Sequence, residues 1–281
     1  MEEVHRVDLA RWRPSPTLGG VVAGMVGMSE RAPGVVRRRQ PAGTLIPLVI
    51  SFGDPLTVQS LADATGAGRA YGCFVAGMSA GWADTWFKQR QDCIQVYLTP
   101  VGVRRILGVP GREVAHRVLP LDDVVPAVGE VLAEQLHSAS SWRERFGCVE
   151  RTLLRQAARE EDPPSWVVGL WRDIQQRGGQ VRVRDLVADT GWSHRHVASV
   201  FGEAIGLTPK QAANLVRFER ATSELGRWPL AEVAARHGYV DQSHLTRHVA
   251  RYAGETPTEL LAARRPTPVM ALGCGGWDAP A

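Results

Sequence analysis

The feature that most limits how this chain can fold is a duplication in its last third. GWSHRHVASVFGEAIGLTP (Gly191–Pro209) is answered by GYVDQSHLTRHVARYAGETP (Gly238–Pro257), and a short apolar-periodic run precedes each. Both copies read as helix, Gly-aromatic turn, helix, then a Gly-x-Thr-Pro stop. The offset is 47 residues at the turn glycine and 48 from Phe201 to Val249, so the second turn is one residue longer. The pair implies an all-α body of two helix-turn-helix units, able to present two recognition helices to one face of a DNA duplex.

In the first unit Val183–Asp189 reads as a short helix with Leu186 and Val187 inward. Gly191 permits the tight turn, and Ser193 is suited to cap the following helix. Val197, Val200, Phe201 and Ile205 form a helical stripe that must face the core, which leaves His194, Arg195, Ala198 and Ser199 outward. In the second unit Leu230, Val233 and Ala234 point in, Gly238 makes the turn and Asp241 caps. Leu245, Val249 and Tyr252 are its core stripe, leaving Gln242, Ser243, His244, Arg247 and Arg251 on or beside the exposed face. Between the units, PKQAANLVRFERATSEL (Pro209–Leu225) reads as one helix of about 16 residues and roughly 24 Å. A rod of that size suits two helices spaced for consecutive major grooves, about 34 Å apart.

Charge follows the duplication. Residues 163–265 carry 14 Lys+Arg against 10 Asp+Glu, which is the whole of the formal net charge of +4. Lys88 and Lys210 are the only lysines; a GC-rich coding bias explains the preference for arginine. No apolar run approaches the ~20 residues of a membrane span, and the mixed-charge N-terminus argues against a secretory signal. Cys73, Cys93, Cys148 and Cys274 are scattered without a C-x-x-C pair, as in reduced cytosolic thiols, with a Cys73–Cys93 redox pair as the alternative. His244 and His248 stand at i, i+4, but no further ligand completes a metal site.

The first half has a different texture. VVAGMVGM, TLIPLVISF, YGCFVAGM and CIQVYL are strand candidates, with turns at Phe52–Pro55 and Ala64–Ala70, and they imply a small antiparallel barrel or sandwich. Arg37, Arg38 and Arg39 read as a solvated strand edge. Pro100 opens a helical stretch that Pro110 closes. Leu121–Leu136, with Asp122 and Asp123 near its start, and Trp142 to about Ala158 read as two amphipathic helices that cover the barrel or form a subunit interface. Arg159–Pro164 (REEDPP) is the boundary, with Asp162 capping the next helix, Pro163 at its first position and Gly178 after its end.

The C-terminal pattern resembles the DNA-binding domain of the AraC/XylS family of bacterial transcription regulators over about residues 164–264. It rests on S-x-R-x-V-x-x-x-F, G-L-T-P, R-F-x-R-A, A-x-x-x-G-Y-x-D-Q-S-H-L-T-R and the final G-x-T-P. The resemblance implies base contacts from Arg195, Ala198 and Ser199 in the first recognition helix and Gln242, Ser243, His244 and Arg247 in the second. His194, His196 and Arg251 complete the expected DNA-binding set. Ala198 and Ser199 stand where the family often has long polar side chains, so specificity leans on Arg247, flanked by Gln242 and His244. Val249 replaces a usual aromatic core residue.

Gln95–Val124 also resembles a stretch found in regulators of this arrangement, which implies a cupin-like β domain in the first half. The expected fold is α+β: a cupin-like regulatory or dimerisation domain with two helices (1–160), an all-α double helix-turn-helix domain (161–265) and a disordered tail (266–281). Phe52, Tyr71, Phe74, Trp82, Trp86 and Tyr97 are candidates for an effector pocket; aromatics on strands equally serve as plain core. No phosphate-binding glycine loop, nucleophile motif or His-x-His metal ligand set is present, so the reading is a cytoplasmic regulator with no enzyme activity, metal or cofactor. Its partners would be double-stranded DNA, a second copy of the chain, a small-molecule effector and RNA polymerase, with no membrane. The alternative is a constitutive DNA-binding regulator whose first half only makes protein contacts.

Overall fold

The computed structural model describes residues 5–126, 128–158, 162–188 and 191–263. The tail 266–281, Cys274 and Arg159, Glu160 and Glu161 of the boundary segment lie outside them.

The first half of the described residues forms strands β1 (Arg6–Trp12), β2 (Val22–Arg31), β3 (Val36–Gln40), β4 (Ile46–Ser51), β5 (Leu56–Leu61), β6 (Arg69–Tyr71), β7 (Cys73–Ala76), β8 (Ala83–Phe87), β9 (Arg90–Leu98) and, later, β10 (Val118–Pro120). They form a six-stranded sheet in the order β1-β2-β9-β4-β7-β10 and a four-stranded sheet in the order β3-β8-β5-β6, with every strand pairing antiparallel. The expected antiparallel β region is therefore present. YGCFVAGM is two strands rather than one: the chain leaves the smaller sheet after Tyr71 and enters the larger at Cys73, with Gly72 between.

The larger sheet is buried on both faces, as the long apolar run of β9 requires. Ile94, Val96 and Leu98 join the core shared with the helices, while Cys93 packs with Met28, Val49, Val58, Tyr71 and Phe74 between the sheets. Cys73 contributes to the first of these clusters and Cys93 to the second, so the two thiols sit on opposite faces and are free. Burial pushes both thiols up, Cys73 to about 11 and Cys93 to about 12, which keeps them protonated and poorly reactive.

Two short helices, α1 (Val103–Leu107) and α2 (Gly111–Val114), precede β10. The stretch expected as one helix from Leu121 to Leu136 is instead a single 3-10 turn at Leu121–Asp123 followed by α3 (Val128–Ser138). Pro126 accounts for the break, since it lacks an N–H and disfavours helical backbone at the residue before it. Asp122 still serves the helix end, accepting from the Gly129 amide at 2.9 Å. The next helix, α4 (Trp142–Ala157), is capped by Ser141 and buries Phe146, Val149 and Leu153. Phe146 stacks on Trp12 at 5.5 Å, so α3 and α4 cover the outer face of the larger sheet.

Among the described residues, helices α5 (Ser165–Gln176), α6 (Val183–Ala188), α7 (His194–Ile205), α8 (Pro209–Ser223), α9 (Leu230–Arg236), α10 (Gln242–Ala253) and α11 (Pro257–Ala262) follow. α5 starts later than the sequence suggests. Its N-cap position is Pro164, without a side-chain cap, and Asp162 instead faces Arg105 at 3.5 Å. Consecutive prolines hold the residues before them out of helical backbone, so the helix begins only after the pair.

The two halves are packed together, and one buried cluster runs from the β sheet through α4 to the C-terminal helices. Gly111 of α2 lies against the backbone at the end of α7, and Arg112 pairs with Glu203. On the other side, Ala42 N–H donates to the Tyr252 carbonyl at 2.8 Å and Arg39 Nη1 donates to the Gly254 carbonyl at 2.8 Å. Arg39 is thus more than a solvated edge residue: it also pairs with Asp84 and lies over Trp82 at 4.2 Å. Arg38, on the same edge strand, forks onto the fully buried Glu30.

Candidate nucleic-acid interface

α6 and α7 enclose the first turn. Gly191 has φ +71°, in the left-handed region that a glycine enters without strain. Ser193 Oγ accepts from the His196 amide at 3.2 Å, satisfying one of the free N–H groups at the start of α7. Val197, Phe201 and Ile205 are buried and Val200 is half-buried, as the stripe requires. His194, Arg195, His196 and Ser199 are exposed, and Ala198 is half-buried. His196 is partly committed, its ring 4.6 Å from that of Trp192.

The second unit repeats this construction. Gly238 has φ +67°, and the Asp241 carboxylate accepts from the His244 amide at 2.7 Å. Leu245, Val249 and Tyr252 are buried; Tyr252 stacks on Phe218 of α8 at 5.1 Å, so an aromatic contact anchors α10 despite Val249. Gln242, Ser243, Arg247 and Arg251 are exposed. His244 is half-buried, edge-on to Tyr239, and its Nδ1 lies 3.4 Å from the Val240 amide that donates to it. His248 is not a companion to it in metal binding: Tyr239 Oη and His248 Nδ1 are 2.7 Å apart. Burial, reinforced by Arg217, His244 and Arg251, pushes the His248 imidazole down to about 4, so it is neutral near pH 7.

Two arginines stand out on these faces. Among the described residues, neither Arg195 nor Arg247 has an ion pair or a side-chain hydrogen bond. With the 48-residue offset, Arg195 aligns with Ser243 and Ser199 with Arg247. Each recognition helix therefore carries one free arginine and one serine at corresponding positions, exchanged between the units. Both sets lie in the N-terminal part of their helix, the part that reaches base edges in helix-turn-helix complexes. The β half, by contrast, touches the C-terminal ends, at Ala204–Gly206 and at Tyr252–Gly254.

The six aromatic pocket candidates are distributed differently. Tyr71 and Phe74 are 5.4 Å apart in the inter-sheet core, Phe52 packs edge-on to Trp142, and Trp82 lies under Arg39. Tyr97 is buried with its hydroxyl on Gln95. Trp86 lines a cavity of about 30 Å³ between the sheets, along with Arg38, Gln40, Gln91 and Gln95. Sequence reasoning missed one further feature, a basic cleft between the two units that joins residues 179–182, 210–217 and 238.

Residues 186–263 match the family model of a helix-turn-helix domain. No curated protein matches the chain. The C-terminal domain of AraT, a response regulator from Geobacillus stearothermophilus, is 17% identical over 37% of this chain and 90% of its own, with a TM-score of 0.34. ToxT from Vibrio cholerae O395 is 9% identical over 83% of this chain and 98% of its own, with a TM-score of 0.47. The xylose-binding transcription activator XylR is 17% identical over 42% of this chain and 38% of its own, with a TM-score of 0.32.

Two capped helix-turn-helix units on one rod-like helix, in a segment that matches that family model, define a DNA-binding transcription regulator. Residues 186–263 are thus a helix-turn-helix domain of that family model, and they include most of the segment whose motifs resemble the AraC/XylS regulators. No helix among the described residues is long and apolar enough to cross a membrane.

Proposed function

We propose that α7 and α10 enter adjacent major grooves on one face of the duplex. The observation that carries this reading is the pair of free arginines, Arg195 and Arg247, on the N-terminal parts of helices whose opposite ends are held by the β half. Arg195, with His194, His196 and Ser199, serves the first groove. Arg247, with Gln242, Ser243, His244 and Arg251, serves the second. Arginine forks onto the O6 and N7 of guanine, which makes Arg247 the principal reader. Hydroxyl-radical footprinting on a duplex selected from a random library tests this. Two protected stretches about one helical turn apart on one face are expected; a single stretch overturns it.

In this reading residues 1–160 are a regulatory and dimerising domain, 161–265 the DNA-binding domain, and the chain works in the cytoplasm as a homodimer with no catalytic activity. RNA polymerase is a further partner for an activator. An effector would enter between the sheets, where Trp86 and Arg38 line the cavity. That cavity, at about 30 Å³, holds one or two waters, against 300–1,000 Å³ for typical ligand sites, so an effector bound there would have to part the sheets; in the second reading this half only makes protein contacts. A thermal-shift screen against metabolites separates the two, because a ligand at about 100 times its Kd adds about 2.7 kcal/mol of stability.

A further inference from the structure

The cleft between the two helix-turn-helix units has a volume of about 480 Å³ and is lined by Arg182, Lys210, Arg217, Gln180, Asn214 and Gly238, among others. Three cations face it, and no carboxylate among the described residues lines it. Arg182 and Lys210 are exposed and form no ion pair among the described residues. Arg217 is braced: its Nη2 donates to Asn214 Oδ1 at 3.0 Å and its guanidinium lies 4.8 Å from the Tyr239 ring centroid. Its Nε is buried without a hydrogen-bond partner. Uncompensated positive charge held in place by packing is the signature of an anion site rather than of a structural ion pair.

The placement of the cleft indicates which anion. Arg182 immediately precedes α6, Lys210 is the second residue of α8, and Gly238 is the turn of the second unit. All three belong to the waist between the two recognition helices. When two helices occupy consecutive major grooves on one face, the strands walling the intervening minor groove cross that waist. We propose that Arg182, Lys210 and Arg217 bind phosphates of the duplex backbone there. This assignment rests on the two-groove reading above. The waist supplies sequence-independent affinity and fixes register, and the helices on either side supply specificity.

The test is a salt series on the full-length chain, binding a random-sequence 40-bp duplex and one selected from a random library. Lys210→Gln and Arg182→Gln are each expected to weaken both duplexes equally, by about eightfold at 0.1 M salt, and to reduce the slope of log K against log salt by about 0.9. The double variant should lose about twice that slope, and Lys88→Gln, distant between β8 and β9, should lose none. An unchanged slope in the double variant overturns the assignment, as does a loss confined to the selected duplex or an equal loss from Lys88→Gln. Inorganic phosphate is titrated separately into the DNA-free chain. If Lys210→Gln abolishes its stabilising effect while the DNA slope stays intact, the cleft serves a small anion and the backbone assignment fails. Wild-type chain that binds neither duplex overturns the two-groove reading along with it.

Discussion

The Glu219 carboxylate on α8 accepts two hydrogen bonds from Thr44, one from its amide at 2.8 Å and one from its hydroxyl at 2.7 Å. The residues are 175 positions apart, and the contact ties the β half to the rod between the two reading units. Burial raises the carboxyl above its ordinary value of 4.5, more than the Thr44 bonds and Arg220 lower it. The folded chain therefore holds this proton more tightly than the unfolded chain. The stability it contributes is present below pH 4.5 and is lost as pH rises through the folded value. Glu219→Gln keeps an acceptor for the Thr44 amide and removes the titration. Its urea midpoint should gain on that of the wild type as pH rises from 4.5 to 7, and a constant difference would refute this.

His248 acts with the opposite sign. Its folded value of about 4 lies below the ordinary 6.5, so its contribution is present above pH 6.5 and is lost as pH falls toward 4. Arg217 on α8, and His244 and Arg251 on α10, face it and oppose its protonation. His248→Gln, which can still accept from Tyr239, should lose less stability than the wild type between pH 6.5 and 4.5 in the same titration. The two groups partly mask one another in the native chain, so each variant should expose the slope of the other.

Three turn glycines form a graded series. Gly191, at φ +71°, would meet nothing within 4 Å if it carried a Cβ, so Gly191→Ala should cost only backbone strain, about 1–2 kcal/mol. At Gly238 the added atom would meet the flexible end of Gln180 at 2.9 Å. At Gly254 it would meet the Trp82 ring at 2.6 Å, with Arg39 stacked on that ring. Gly254→Ala should therefore be the most destabilising of the three in thermal melts. Equal losses would mean that the β half does not bear on α10 in solution.

Arg247→Ala is expected to weaken a selected duplex by about 1–3 kcal/mol, with little change on random DNA at one fixed salt concentration. Arg195→Ala should act the same way on the other half-site. Anisotropy titrations on duplexes mutated in one half-site at a time check both. If both arginine variants lose affinity equally on specific and random DNA, these side chains contact phosphate.

The reading units were legible because their signals are local. Ser193 and Asp241 cap, Gly191 and Gly238 turn, and the stripes through Phe201 and Tyr252 repeat at helical spacing, all within about 20 residues. The β half was only partly legible. β1 and β8 mix charged and apolar residues without strict alternation, and β5 is short and half-exposed, so only the apolar strands announced themselves. Pro126 signalled a break that periodicity alone overrode. The Thr44–Glu219 contact and the cleft around Arg217 join residues far apart in the chain, and nothing in their neighbourhoods marks the partner. Lys210 offered a faint hint, as one of two lysines in an arginine-rich chain.

The grip of the β half on the C-terminal ends of α7 and α10 closes a ring: α7 leads into α8, α8 carries α10, and the β half returns from Gly254 to Gly206. A closed frame of this kind sets the phase between its two readers as well as their distance. On the two-groove reading, one base pair inserted between the half-sites turns the second by about a tenth of a helical revolution, which a frame held at both ends resists. On that reading, the operator is constrained in the number of bases left unread as strictly as in the identity of those that are read.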